Sequence, residues 1–405
     1  MTMKFTIQCV RSQGARLGRL TEVGQNKDIV LDTPMCMLYT RGGSAPHLSL
    51  DVLKKIQDVP TVAHMPLNQF AQYQETIEGY KDGMAKFSAL GDKIVYTSNT
   101  DPAVEVPTGY NDKSGIGLWG KGGKIKLDRD GFVKLQEAVL PDLFQCMSDG
   151  DTDKTCTSKR ARKSVDRTLN FLDDILEKVK KSQRLQKSVM FGSLVGGYDL
   201  RERQRCTRET LARNVEGFAL EGFHAMGPGA EDFDLAGAAD IISAVIKLLP
   251  EEKPRLMQSV WRPDTLLTAI DLGIDIFDSS YPYIVTGRGH ALVFSYEYRH
   301  NPEQDKEQDS LKSAGFTINV MDKIYADDFS PLLDDCKCYA CQNFTKAYIN
   351  HLLNTSELLA STLLMIHNFH HYFQYFKTIR EALAEDRFLD LKTLIVNQKE
   401  IHTTS

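Results

Sequence analysis

Ser188-Val-Met-Phe-Gly-Ser-Leu-Val195, Gly217-Phe-Ala-Leu-Glu-Gly-Phe223, Pro254-Arg-Leu-Met-Gln-Ser-Val260 and Gly273-Ile-Asp-Ile-Phe-Asp278 are four short β-rich runs. The first ends at Gly196-Gly197. Between the runs lie helical patterns: a polar amphipathic stretch from Leu200 to Val215, a second from Asp234 to Leu249 stopped by Pro250, and a third from Pro263 to Leu272. Proline suits the first turn of a helix, where its missing N–H costs nothing. Strand and helix alternating in this way imply parallel strands joined by crossover helices, an α/β fold. The 405-residue length is compatible with two or three domains, or with one large α/β barrel carrying an appendage.

Composition narrows the class. Lys and Arg number 49 against 54 Asp and Glu, a net charge of −5, and 42% of residues are hydrophobic. These values exclude a collagen, a mostly disordered chain and a membrane bundle. They also exclude a domain that holds nucleic acid by overall positive charge. The N-terminus lacks the apolar core of a signal peptide, and no run is long enough to cross a membrane. Leu358 to Phe376 comes nearest, but Ser361, Thr362, His367 and Asn368 interrupt it. Of the 8 Cys, three fall within six residues and five are scattered, which is not a disulfide scaffold. The expectation is a protein of the reducing, cytosolic side.

Outside the alternating region, Asp149 to Arg167 is polar and contains Lys159-Arg160-Ala161-Arg162-Lys163. It reads as an exposed loop leading into a helix. Solvation outweighs an RNA-contact or nuclear-import role, because charge runs are common on surfaces. Asn301 to Ser313 is charged and poor in large apolar residues, and reads as a mobile insertion. Leu359, Leu363, Ile366, Phe369, Phe373, Phe376, Ile379 and Leu383 recur at three- and four-residue steps, the stripe of a long helix. A buried face is the main expectation, with part of the aromatic stripe left for a partner subunit. Gly115-Ile-Gly-Leu-Trp-Gly120-Lys-Gly122 contains G-x-G-x-x-G and nearly a P-loop, but Gly122 cannot supply the hydroxyl that reaches Mg²⁺. It reads as a glycine-rich turn between strands.

Two features can carry chemistry. Cys336-Lys-Cys338-Tyr-Ala-Cys341 is followed by His367, His370 and His371 on the aromatic helix. Zinc takes four tetrahedral ligands, and three thiolates plus one imidazole make a closed structural set. A site with four protein ligands leaves no position for water, so the metal is expected to be structural. The residues alone do not choose among the three histidines. Asp275 and Asp278 sit at the end of a predicted strand, where barrels build active sites. An Asp there can attack a sugar carbon; a helix cap or a solvated loop acid is the plainer reading.

Together these segments resemble the tRNA-guanine transglycosylase family over most of the chain. Phe191-Gly-Ser-Leu-Val-Gly-Gly197, Gly217-Phe-Ala-Leu-Glu-Gly222, Lys253-Pro-Arg-Leu-Met257 and Gly273-Ile-Asp-Ile-Phe-Asp278 are similar to its strand ends, and the Cys336-x-Cys338-x₂-Cys341 loop with His367-Asn368 is similar to its zinc signature. The resemblance implies a TIM (β/α)8 barrel with an inserted zinc-binding subdomain and C-terminal helices. It implies one structural Zn²⁺ on Cys336, Cys338, Cys341 and His367, and it places Asp278 at the family's nucleophile position. Residues 1–330 would form the barrel body with a β-rich N-terminal segment, and 331–405 the zinc loop and C-terminal helices.

The departures from the family matter as much. Its D-S-G-G-F-Q loop is not found, and Tyr96-Thr-Ser-Asn-Thr-Asp101 is no substitute for it. Val195 stands at the base-binding Gln, Ser148 at the base-recognising Asp, Glu221 at a Gly, and Tyr283-Ile284 at T-R of P-T-R. A pocket without partners for the base edge leaves polar groups unpaired at about 1–3 kcal/mol each. These changes, the Cys-x-Cys-Tyr-x-Cys form and the stretch from Lys159 to Asp166 resemble the accessory, non-catalytic branch of the family. That implies no catalytic residue and no organic cofactor, a heterodimer with a catalytic queuine tRNA-ribosyltransferase subunit, tRNA reached through the complex, and a homodimer when the chain is alone. It also implies a cytoplasmic location, peripheral at the mitochondrial outer membrane. The competing readings are an active base-exchange enzyme using Asp278, and a zinc-stabilised RNA-binding protein.

Overall fold

The structure is a computed structural model that describes residues 3–24, 28–299 and 315–399. Three antiparallel strands open the chain, β1 (Lys4–Arg11), β2 (Ala15–Thr21) and β3 (Leu31–Thr33). Then come β4 (Met35–Tyr39), α1 (Leu50–Leu53), β5 (Val62–Pro66), α2 (Gln74–Tyr80), α3 (Gly83–Phe87) and β6 (Ile94–Ser98). A hairpin of β7 (Gly115–Gly120) and β8 (Gly123–Asp128) precedes α4 (Arg129–Val139), β9 (Leu143–Gln145) and α5 (Ser158–Lys181). The alternation continues with β10 (Val189–Leu194), α6 (Leu200–Leu211), β11 (Gly217–Leu220), α7 (Leu235–Ile246), β12 (Arg255–Met257), α8 (Pro263–Asp271), β13 (Ile276–Asp278) and α9 (Ser280–Gly287). The remainder holds a two-stranded sheet of β14 (His290–Leu292) and β15 (Thr317–Asn319), then α10 (Tyr339–Asn343), α11 (Lys346–Asn354), α12 (Leu358–Ala384) and α13 (Phe388–Lys399).

The eight strands β4, β5, β6, β9, β10, β11, β12 and β13 form a closed parallel barrel, sealed where Ile276 of β13 pairs with Met35 of β4. The alternation implies its parallel strands, and the family resemblance implies the closed TIM barrel that they form. The strands and helices fall where the sequence places them from Ser188 onward. Several helices start where a short polar side chain caps them: Asp199 accepts from the Glu202 N–H, Asp234 from Gly237 and Thr157 from Arg160. Pro263 takes the first turn of α8. Gly217 opens β11 because a Cβ there would lie 2.5 Å from the Phe191 ring on the neighbouring strand.

The N-terminal sheet plugs the bottom of the barrel. Phe5, Leu20 and Leu31 pack with Val62, Ile94, Leu143 and Val189, the first residues of four barrel strands. Arg16 of β2 reaches further in and clamps Asp275 with its Nε at 3.0 Å and its Nη2 on the second oxygen. Asp275 therefore lies before β13, at the bottom, not at the C-terminal end where the sequence reading put it. Only Asp278 reaches the mouth.

Two further expectations change. Lys159 to Lys163 is not a loop but the first turns of α5. Ala161 is buried there, and Arg160 turns inward to grip Asp149 with both Nη atoms, at 2.9 and 2.7 Å. An Arg with a buried partner adds helix-to-loop support that a solvated loop would not need. The aromatic stripe of α12 is consumed within the chain: Tyr372 and Tyr375 donate to the Trp261 and Pro263 carbonyls, and Phe376 packs on Phe277. All its members are buried except Leu359, which is 40% exposed. The stripe is therefore not left for a partner. Among the described residues no helix is long and apolar enough to cross a membrane. The segment Asn301 to Ser313, read as a mobile insertion, lies outside the described residues.

Candidate metal centre and barrel mouth

Cys336, Cys338 and Cys341 wrap the start of α10, and His367 comes from α12 packed against it. Cys338 is the helix cap, and its sulfur also accepts from the Cys341 N–H at 3.3 Å. The three sulfurs lie 3.7, 3.6 and 3.3 Å from His367 Nδ1, and all four ligand atoms fall within 4.8 Å of one another. Zinc–sulfur bonds of about 2.3 Å and zinc–nitrogen bonds of about 2.0 Å put tetrahedral sulfur and nitrogen roughly 3.5 Å apart, so the cluster fits such an ion.

The second ring nitrogen settles the tautomer. His367 Nε2 lies 2.8 Å from the Leu292 carbonyl, which can only accept. Nε2 therefore carries the proton and Nδ1 offers its lone pair to the sulfurs, the orientation a ligating histidine needs. The neighbouring Asn368 holds this carbonyl's strand: its Oδ1 accepts from Leu292 N at 2.8 Å, and its Nδ2 donates to Thr286 and His290. That explains the His-Asn pair in physical terms. His371 instead bonds the Phe294 carbonyl at 3.0 Å, and His370 is outside the cluster. The structure thus brings His367, and not the other two histidines, to the thiols.

At the mouth, Asp278 ends β13 and is fully buried. Its oxygens accept from the Ser259 and Ser280 N–H groups at 3.1 and 2.9 Å. Burial raises its pKa to about 7 against these two bonds, with the nearby Asp101 adding to the rise. Between the ordinary value of 3.8 and about 7 the folded chain holds this proton while the unfolded chain releases it. Stability drawn from Asp278 is thus present below pH 4, falls as pH rises and levels off above 7. The melting temperature of Asp278→Asn, minus that of the parent, is expected to climb from pH 5 to pH 8. A difference independent of pH would remove this assignment.

Asp101 is the mouth residue of the Tyr96–Asp101 stretch that sequence reasoning set aside. It is buried past the end of β6 and accepts from Tyr39 Oη at 2.8 Å, Gln69 Nε2 at 2.6 Å and Ala103 N at 3.0 Å. The one available signal was an acid closely following a strand. His64 sits inside the barrel beside Ser98 and Gln258, and burial pushes it down to about 3, so the ring is neutral.

A cavity of about 320 Å³ opens over β6, β9 and β11. Ser148, Asn99 and Glu221 line it. Ser148 is bonded by Asn99, whereas Asp149 turns away to Arg160 and Arg167. Glu221 places a carboxyl against this cavity, raised by burial, and its Oε1 has no hydrogen-bond partner among the described residues. Val195 is fully buried and gives the cavity no polar group. Asp278 lines neither this cavity nor the larger one beside it.

The chain is a closed (β/α)8 barrel with a Cys₃His cluster, able to hold a metal ion, between a short loop and a C-terminal helix. The chain belongs to the queuine tRNA-ribosyltransferase family, whose model matches residues 9–400. It is 43% identical over 409 residues to a queuine tRNA-ribosyltransferase accessory subunit 2 of Gallus gallus, covering 95% of each protein. The accessory subunit 2 of Homo sapiens is 42% identical over 408 residues, covering 95% of this chain and 97% of that one. That of Danio rerio is 40% identical over 410 residues, covering 96% and 97%.

Proposed function

We propose that this chain is the non-catalytic subunit of a heterodimeric queuine tRNA-ribosyltransferase and supports exchange of the wobble guanine for queuine in tRNA. The observation that carries the reading is the full burial of Asp278, which lines neither of the two cavities described. A nucleophile acts only within reach of an oriented substrate. Here the acid at the nucleophile position has both oxygens held by backbone N–H groups. The cavity that would take the base presents a carboxyl at Glu221, and Val195, fully buried, gives it no polar group.

The metal belongs to the same reading. Cys336, Cys338, Cys341 and His367 hold one structural Zn²⁺, which ties the segment from residue 331 onward to the barrel. The names of the relatives supply the partner, a catalytic subunit.

Mixing tests this directly. The chain alone is expected to give a flat time course of labelled-guanine incorporation into tRNA. Co-purified with the catalytic subunit, it should support exchange, and so should its Asp278→Ala variant. Loss of exchange in that variant, with the heterodimer intact, would show that Asp278 does chemistry.

A further inference from the structure

Glu221 and Asn99 directly follow β11 and β6, and both line the cavity of about 320 Å³. Gly150 makes room for the acid, since a Cβ there would lie 2.8 Å from Glu221 Oε2. Asn99 is 3% exposed, and its Nδ2 donates to the Cys146 carbonyl at 3.0 Å and to Ser148 Oγ at 3.2 Å. Those two bonds fix the amide and leave Oδ1 over. Glu221 Oε1 and Asn99 Oδ1 are both buried and have no hydrogen-bond partner among the described residues. The charge of Arg203 acts on Glu221, but its Nε and Nη1 are taken by the Gly197 and Leu194 carbonyls and its face lies on the Phe223 ring. Buried polar atoms left unpaired are costly. Both of these are acceptors, so they suit a ligand that donates.

The rest of the lining sets the charge and the shape of that ligand. Asp151 and Asp153 join Glu221 there, against one cation, Arg160. Arg160 is already committed, with its Nη atoms on Asp149 and on the Asp151 carbonyl. Asp153 accepts from the Thr155 N–H and hydroxyl, at 2.8 and 2.7 Å, and has no ion pair among the described residues. Burial lowers the pKa of His224, so its ring adds no positive charge. Ile116 and Leu118 supply an apolar wall, and Tyr110, 43% exposed, adds a ring. An acidic, acceptor-rich cavity with apolar walls takes a positive head on an apolar body. Carboxylates accept the planar N–H fork of an amidinium or guanidinium through two parallel bonds.

We propose that this cavity binds a small organic cation, an amidinium or guanidinium on a flat apolar body, whose N–H groups meet Glu221 and Asn99 Oδ1. The inference rests on the accessory-subunit reading, in which this cavity takes no guanine. Guanine presents acceptors as well as donors along its edge, and a carboxyl in the wall opposes them.

Benzamidine is the probe, titrated calorimetrically into the full chain, alone and in the heterodimer. Saturable binding is expected. Glu221→Gln keeps the shape and removes the charge, and should weaken binding by a factor of roughly ten or more. Benzamide, the neutral counterpart of the probe, should bind the parent chain more weakly by a similar factor. That comparison needs no variant, so it decides the matter even if Glu221→Gln fails to fold. Equal affinity for benzamidine and benzamide, or unchanged affinity in a folded Glu221→Gln chain, would overturn the site. So would displacement of benzamidine by guanine, which would make the cavity a nucleobase pocket. Absence of benzamidine binding, with the chain alone still inert toward labelled guanine, would remove the site and leave the accessory reading standing. Guanine incorporation by the chain alone would count against that reading instead.

Discussion

Cys338→Ser is expected to release the metal and melt the unit that α10 and α12 form around it. The thiol is 3% exposed, and its sulfur both faces His367 Nδ1 and caps α10. A serine hydroxyl is a poor zinc ligand, and three remaining ligands do not close a structural site. Binding energy at such a site is folding energy, on the order of 10 kcal/mol for a small zinc unit. The α12 residues share one core with the barrel, so the loss should appear as a lowered melting temperature of the whole chain. Metal analysis and a thermal scan of the variant check this, and a chelator should reproduce the scan with the parent chain. Zinc content equal to the parent's would remove Cys338 from the ligand set. Acid should mimic the chelator, because the thiolates must shed their protons to bind.

Arg16→Met is expected to be the most damaging change outside the metal unit. Arg16 is 3% exposed and Asp275 is fully buried. The guanidinium also donates to the Glu251 carbonyl at 2.9 Å, so it ties the N-terminal plug to two places at the bottom of the barrel. Breaking one side of a buried ion pair leaves an uncompensated charge and costs about 3–5 kcal/mol. Burial already raises the Asp275 pKa against the pull of Arg16, so without Arg16 the acid will take up a proton more readily. Denaturant unfolding of Arg16→Met, Asp275→Asn and the double variant measures the coupling. The double variant should cost less than the two single changes added together, by more than about 1 kcal/mol. Simple additivity would show that the pair does not act as a unit.

Legibility differed between the two halves of the barrel for a physical reason. From Ser188 to Asp278, glycines at 196, 197 and 222 follow β10 and β11, and the helices begin at Asp199, Asp234 and Pro263, so local chemistry marks most of the boundaries. Met35–Tyr39, Val62–Pro66 and Ile94–Ser98 are buried on both faces, with His64 and Tyr96 turned into the lumen. Such strands show no alternation, and nothing local separates them from other apolar runs. Arg203 is a similar case. It reads as one more charge on a polar helix, yet it is buried against the Phe223 ring and donates to the Gly197 and Leu194 carbonyls.

The amino-acid sequence by itself determined the parallel α/β alternation, the three thiols of the metal loop and the departures at Val195, Ser148 and Glu221. The first two are matters of spacing and side-chain chemistry along a short stretch, and the departures are read against the family resemblance. Which of the three histidines faces the thiols was open to the residues alone, because the answer depends on which helix face meets α10 and on the Leu292 carbonyl that fixes the ring. The tertiary structure also separated Asp275 from Asp278, sending one to the plug and the other to the mouth. It alone brought Asn68 and Asp101, which follow β5 and β6, to one rim with Trp119 of the β7–β8 hairpin, because a barrel gathers at its mouth residues that the chain holds far apart.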